Sequence, residues 1–135
     1  MPRNAYALRH IAAAYRSGLE EAVAEQLKQA GVEAAYEEVK IPYVTPATPH
    51  KYCPDFQLPN GIFIETKGKF DTADRKKHLL IKEQHPEIEI RFVFSRSKST
   101  ISKTSKTTYA DWCLKNGFLY ADKWVPEAWL TEKTK

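Results

Sequence analysis

The chain reads as a mixed α/β fold, a sheet packed by helices, and three observations carry that prediction. Two apolar runs flank a turn at residues 59–61 that closes on a glycine; Ile88, Ile90, Phe92 and Phe94 alternate at the two-residue period of a strand; and the stretches around them carry helical spacing and caps. In chain order the predicted elements run helix, three strands, helix, strand, helix, which is the pattern of a sheet covered by helices. The 135 residues, 42% of them hydrophobic and 12% aromatic, suffice for one domain with a real core but not for two. Nothing in the sequence repeats.

Residues 1–15 carry Arg3, Arg9 and His10 without periodicity until the alanines at 12–14, and read as a mobile basic arm ahead of a single domain over 16–135. Ser17 is an N-cap for a helix over residues 18–30, with Glu20 three positions on as the reciprocal member of a capping box. Leu19, Val23, Leu27 and Ala30 repeat at helical spacing, and Gly31 stops the helix. Capping alone accounts for Glu20 at this level. Residues 34–41 read as a strand with Tyr36, Val39 and Ile41 as its apolar members. The following stretch, 42–49, holds Pro42, Pro46 and Pro49, which exclude helix and any central strand and predict a stiff, extended bridge. The helix–strand unit of 16–41 is too small to bury its apolar stripe alone. It must pack on the core of residues 50–135, in its own chain or in a second copy, and a stiff bridge favours the second copy.

The centre of the chain is a predicted hairpin: a strand from Asp55 to Leu58, the turn Pro59-Asn60-Gly61, and a strand from Ile62 to Lys67. Counting outward from Asn60 pairs Leu58 with Ile62, Gln57 with Phe63, Phe56 with Ile64 and Asp55 with Glu65. Opposed residues share a sheet face with Cβ atoms about 5 Å apart, and Lys67, two beyond Glu65, points from that face too. Like charges opposed across a ladder destabilise a hairpin, and a divalent cation removes the conflict, because hard ions such as Mg²⁺ bind carboxylate oxygens. Such an ion can activate water and stabilise charge on a phosphate under attack. The same residues read equally as an exposed hairpin bearing a Lys–Glu surface pair and an unrelated Asp.

Beyond the hairpin, Asp71 or Thr72 opens a helix to about residue 84 that carries Arg75, Lys76, Lys77, His78 and Lys82, with Pro86 just past its end. Val93 implies that the strand over 88–94 is buried on both faces. Residues 95–108 form a polar loop of Ser, Thr, Lys and Arg interrupted by Ile101. Thr108 and Asp111 open a short helix that Gly117 stops, 118–121 adds a strand, and Pro126 begins a last helix around Trp129. Arg75, Lys76 and Lys77, with Arg96, Lys98, Lys103 and Lys106, suit phosphate contacts that position a duplex without reading its bases. The net charge of +4 is compatible with such a partner. His10, His50, His78 and His85 lack ligand or triad spacing and read as surface residues, while Trp112, Trp124 and Trp129 read as core. The two cysteines, Cys53 and Cys113, fit a reduced, cytosolic setting better than a disulfide scaffold. No window spans a membrane, no signal-peptide core is present, and no glycine-rich phosphate loop exists.

These residues also form recognisable blocks. Arg16-Ser17-Gly18-Leu19-Glu20, Tyr36-Glu37-Glu38, Pro42-Tyr43, Pro54-Asp55-Phe56, Leu58-Pro59-Asn60-Gly61-Ile62-Phe63, Glu65-Thr66-Lys67-Gly68 and Asp74-Arg75-Lys76-Lys77-His78-Leu79-Leu80-Ile81 resemble the bacteriophage endonuclease I family of junction-resolving enzymes. Glu83-Gln84-His85-Pro86-Glu87 and Tyr120-Ala121-Asp122-Lys123 extend the resemblance over about residues 15–130. The N-terminal arm diverges, and the sequence ends at Thr134-Lys135, short of the longer basic tail associated with the family.

The resemblance implies a PD-(D/E)XK, restriction-endonuclease-like mixed sheet flanked by helices, assembled as an intertwined homodimer whose 16–41 units change places through the 42–49 bridge. It implies cleavage of branched DNA, four-way (Holliday) junctions above all, with Mg²⁺ or Mn²⁺, one or two per active site. Glu20, Asp55, Glu65 and Lys67 become the catalytic set. Glu20, Asp55, Glu65 and the main-chain carbonyl of Thr66 become the metal ligands, with Glu20 reaching the other subunit's site. Arg16, Ser17 and Lys69 join Arg75, Lys76, Lys77, Arg96, Lys98, Lys103 and Lys106 as DNA contacts. The expected setting is the cytoplasm of a phage-infected or prophage-carrying bacterial cell. Two competing readings stay open: a nuclease that cuts linear duplex at particular sequences, and a non-catalytic architectural protein that binds bent or branched DNA.

Overall fold

The computed structural model describes residues 18–44 and 49–133; the predicted N-terminal arm, Arg16, Ser17, the middle of the proline-rich stretch and the last two residues lie outside them. Helix α1 (Gly18–Gln29) has Glu20 and Glu21 in its first turn and Lys28 in its last, matching the helix dipole, and buries Val23 and Leu27. Gly31 ends it at φ 73, with its own N–H on the Lys28 carbonyl and that of Val32 on Leu27, a Schellman closure that a side chain at Gly31 would strain.

The strand predicted over 34–41 divides in two. β1 (Ala35–Tyr36) ends where Glu37 turns to φ 52 and gives its N–H to the Asp55 carbonyl, and β2 (Ile41–Val44) begins a separate ribbon. β2 runs antiparallel to β3 (Pro49–Tyr52), pairing Ile41 with Tyr52 and Val44 with Pro49. The flanks of the 42–49 stretch therefore pair with one another in this chain, where an uninterrupted extended bridge was expected. A two-stranded ribbon tolerates Pro42 and Pro49 because half of its N–H groups face outward and join no ladder. Gln84 clamps the ribbon from outside, its amide accepting from the Val44 N–H and donating to the Val44 carbonyl.

β4 (Phe56–Gln57) and β5 (Phe63–Lys67) form the predicted hairpin in the predicted register, Phe56 opposite Ile64 and Gln57 opposite Phe63, with Gly61 at φ 92 closing the turn. Asp71 caps α2 (Thr72–Gln84) by accepting from the Asp74 N–H. β6 (Ile90–Phe94) follows, then α3 (Tyr109–Asn116), whose Thr108–Asp111 capping box and left-handed Gly117 match expectation. β7 (Tyr120–Asp122) and α4 (Glu127–Thr131) complete the chain.

The main sheet has the order β1-β4-β5-β6-β7, antiparallel from β1 to β5 and parallel from β5 to β7. The parallel steps need crossovers, which α2 and α3 supply. All five β6 residues are buried, because one sheet face packs Phe63, Phe70, Ile81, Phe92, Phe94 and Trp112 while the other packs Val23, Leu27, Phe56, Ile64, Val93 and Trp129. α1 is thus seated on the second face of its own chain, where Gln26 also exchanges hydrogen bonds with the backbone of Val125. Two expectations fail. His78 is fully buried, since α2 presents it with Ile81 to the sheet, and Trp124 is 55% exposed. Trp112 and Trp129 are core, both cysteines are free, and no helix of the described residues is long and apolar enough to cross a membrane.

Candidate active site

β5 alternates Phe63, Glu65 and Lys67 on one face with Ile64 and Thr66 on the other, and continuing the β4–β5 register by one residue brings Asp55 beside Glu65. β4 stops short, so the Thr66 N–H that a longer strand would engage finds the Asp55 side chain. Asp55 Oδ2 accepts from that N–H at 2.9 Å and from Thr66 Oγ1 at 2.8 Å. Glu65 Oε2 accepts from the Tyr52 hydroxyl at 2.9 Å, and Glu65 Oε1 lies 3.8 Å from Lys67 Nζ. Lys67 is shared with Asp74 on the first turn of α2, 3.4 Å away. Asp55 is 1% exposed and Glu65 4%, so the exposed-hairpin alternative does not hold.

Burying two carboxylates together perturbs both the site and its neighbours. Desolvation, then the charge of Asp55, pushes Glu65 up to about 8, against the opposing pull of Lys67, the Tyr52 hydrogen bond and Lys77. Burial, followed by the Glu65 charge, holds the Tyr52 phenol well above its ordinary range, so it stays a donor. His78 sits edge-on to Tyr52 and Phe92 with neither ring nitrogen hydrogen-bonded, and burial keeps it neutral. The Lys77 ammonium lies 5.3 Å over the Tyr52 ring.

Glu20 is carried by α1 and not by the hairpin. It projects from α1, 5% exposed, and accepts from the Tyr36 hydroxyl at 2.5 Å, while Tyr36 packs its ring on Phe56 at 5.2 Å. Burial and the charges of Glu20 and Glu37 hold the Tyr36 phenol far above its usual range. Among the described residues no three acidic, histidine or cysteine side chains are grouped to hold a metal.

The basic candidates divide. Arg75 turns inward, donating to the Phe70 carbonyl and to Thr72 Oγ1, so it braces the start of α2. Lys69, Lys76, Arg96, Lys98, Lys103 and Lys106 are exposed. Because β5, β6 and β7 are parallel, Lys67, Phe94 and Asp122 share one end of the sheet, and the polar loop starts there at Ser95. Asp122 fixes that start by accepting from the N–H and hydroxyl of Ser97, and Thr100 bridges to Thr108 to fold the loop back. Sequence reasoning missed Tyr52 and Asp74. Tyr52 belongs to a different strand pair from the hairpin whose register was counted, and Asp74 looks like an ordinary first-turn acid.

A family model described as phage endonuclease I matches residues 2–135. The chain is 55% identical over 122 residues to endonuclease I of Escherichia phage T7, covering 90% of this chain and 82% of that protein. It is 57% identical over 122 residues to endodeoxyribonuclease 1 of Enterobacteria phage T3, covering 90% of this chain and 80% of that one. The chain belongs to the phage endonuclease I family, a family of nucleases.

Proposed function

From that membership we propose a metal-dependent, structure-selective DNA endonuclease that resolves four-way junctions and other branched DNA by paired nicks. It would act as an intertwined homodimer with a restriction-endonuclease-like core, in the cytoplasm of a phage-infected or prophage-carrying bacterium. The observation that supports this reading best is the buried Asp55–Glu65 pair with Lys67 beside it. Buried like charges are unfavourable unless something of opposite sign joins them. The donor set suits Mg²⁺ or Mn²⁺: Asp55, Glu65, Glu20 and the Thr66 carbonyl offer only hard oxygens, and a divalent ion would offset the burial and the Asp55 repulsion that raise Glu65.

When bound, one or two cations per site would supply a water of lowered pKa and counter-charge for the phosphate. Asp55, locked by its two hydrogen bonds from Thr66, would keep its carboxylate aimed without reorganisation. Lys67, between Glu65 and Asp74, would orient the water or neutralise charge on the phosphate as the bond breaks. Glu20 belongs to the 16–41 unit, and exchange of that unit would carry it to the other subunit's Asp55, Glu65 and Lys67. The two resulting sites would account for paired nicks. Lys69, Lys76, Lys77, Arg96, Lys98, Lys103 and Lys106, with Arg16 and Ser17 ahead of α1, would hold phosphates.

The test compares cleavage of an end-labelled four-way junction with a linear duplex of the same sequence, in Mg²⁺ or in EDTA, for wild type and Glu65→Ala. Mg²⁺-dependent nicks that favour the junction and vanish in the variant are expected. Equal cutting of both substrates would replace the resolving activity with general nuclease action. Binding without cutting would leave an architectural protein.

A further inference from the structure

Glu65 is not held by its own strand alone. Its two oxygens face different environments: Oε2 accepts from the Tyr52 hydroxyl at 2.9 Å, and Oε1 faces Lys67 Nζ at 3.8 Å. Tyr52 is immobilised on every side. It is 1% exposed and paired with Ile41 in the β2–β3 ribbon; its ring meets the His78 ring edge-on at 5.2 Å and carries the Lys77 ammonium at 5.3 Å. His78 offers the phenol no competing hydrogen bond, since neither of its ring nitrogens is engaged. A glutamate has three side-chain torsions to fix. The terminal one is broad unless a hydrogen bond fixes it.

We propose that Tyr52 is a positioning residue for the metal site: its hydroxyl fixes the Glu65 carboxylate so that Oε1 turns toward Lys67 and the cation. The inference rests on the reading of Glu65 as a metal ligand. Groups that hydrogen-bond a ligating carboxylate orient it, and their loss typically weakens metal affinity about 10–100-fold. Through Tyr52 the orientation is also tied to the β2–β3 ribbon, so the segment that follows the 16–41 unit helps to set the carboxylate it would serve.

Tyr52→Phe deletes only the hydroxyl and keeps the ring in its packing, which separates orientation from folding. Mn²⁺ binding to the DNA-free protein, followed by calorimetry, is the primary readout. The Mg²⁺ concentration giving half-maximal junction cleavage is the second. Tyr52→Phe is expected to weaken Mn²⁺ binding about tenfold and to raise the Mg²⁺ requirement in parallel, with the saturated rate less affected. Phe70→Leu, which loosens the same aromatic cluster without touching Glu65, is expected to lower the thermal midpoint and leave Mn²⁺ affinity unchanged. Wild-type Mn²⁺ affinity in Tyr52→Phe overturns the positioning role alone, as does equal weakening in Phe70→Leu. Absence of Mn²⁺ binding in wild type overturns the metal reading and the positioning role with it.

Discussion

The sheet buries charge on both faces and treats it in opposite ways. On one face, Arg91 lies on β6 with its guanidinium fully engaged: Nε donates to Glu89, Nη1 and Nη2 grip Glu132 at 2.9 and 2.8 Å, and its plane rests on Trp129. The cation meets two anions and an aromatic face, and Glu132 helps to hold its guanidinium charged. On the other face, Asp55 and Glu65 are buried against each other, and the cation beside them, Lys67, is shared with a third carboxylate, Asp74. A buried charge that is fully paired serves folding. A buried charge left opposed to its like has its stability deferred to something that binds there, and such perturbed groups collect at functional sites. Charge is paired off on the Arg91 face and left opposed on the Glu65 face.

The contrast can be broken by substitution on either face. Lys67→Ala is expected to retain junction binding while cleavage falls about 10²–10³-fold, the usual loss when a group stabilising transition-state charge is removed. Single-turnover cleavage beside a gel-shift titration reads both; undiminished cleavage would take the lysine out of the mechanism. Arg91→Met should do the reverse. It leaves Glu89 and Glu132 half-exposed and able to rehydrate, so the loss is on the order of 1–3 kcal/mol of unfolding free energy, with activity per folded molecule kept. Denaturant unfolding measures it, and an inactive but equally stable Arg91 variant would show that both faces are functional.

A pH series sharpens the comparison further. Glu65 titrates near 8 in the folded chain against 4.5 as its ordinary value, so folding favours its protonated form. Its contribution is complete below pH 4.5 and is lost as the pH rises through 8. In EDTA, the thermal midpoint of wild type should therefore fall by several degrees relative to Glu65→Gln between pH 5 and pH 8, and Mg²⁺ should restore it. Parallel midpoints for the two proteins across that range would mean that Glu65 carries no stored cost.

Much of this was legible in the chain itself. The hairpin register followed from Asn60 and Gly61, because a short turn fixes which residues oppose. The caps at Asp71 and Thr108 and the stops at Gly31 and Gly117 were readable for the same reason, since each is a bond between residues a few positions apart. The carboxylate pair and Lys67 came with the register. What was misread depended on distant neighbours. His78 and Trp124 exchanged their expected places because burial on a helix or after a strand is decided by what packs there. Asn60 looked like a turn residue only, yet its amide also donates to the carbonyls of Trp129 and Glu132 and so anchors the end of the chain. The break at Glu37 and the pairing of β2 with β3 likewise arise from contacts made with other segments.

By itself, then, the sequence determined the helices with their caps and stops, the hairpin register and the opposition of Asp55 and Glu65 that comes with it, because turns, caps and alternation act through bonds a few residues long. Only the tertiary structure decided that Asp55 and Glu65 are buried, that Tyr52 reaches Glu65, that Arg75 turns inward and that Arg91 finds Glu132. Burial and the strength of a charge's interactions depend on which distant groups exclude water around it, and most of those contacts join elements that are remote in the chain.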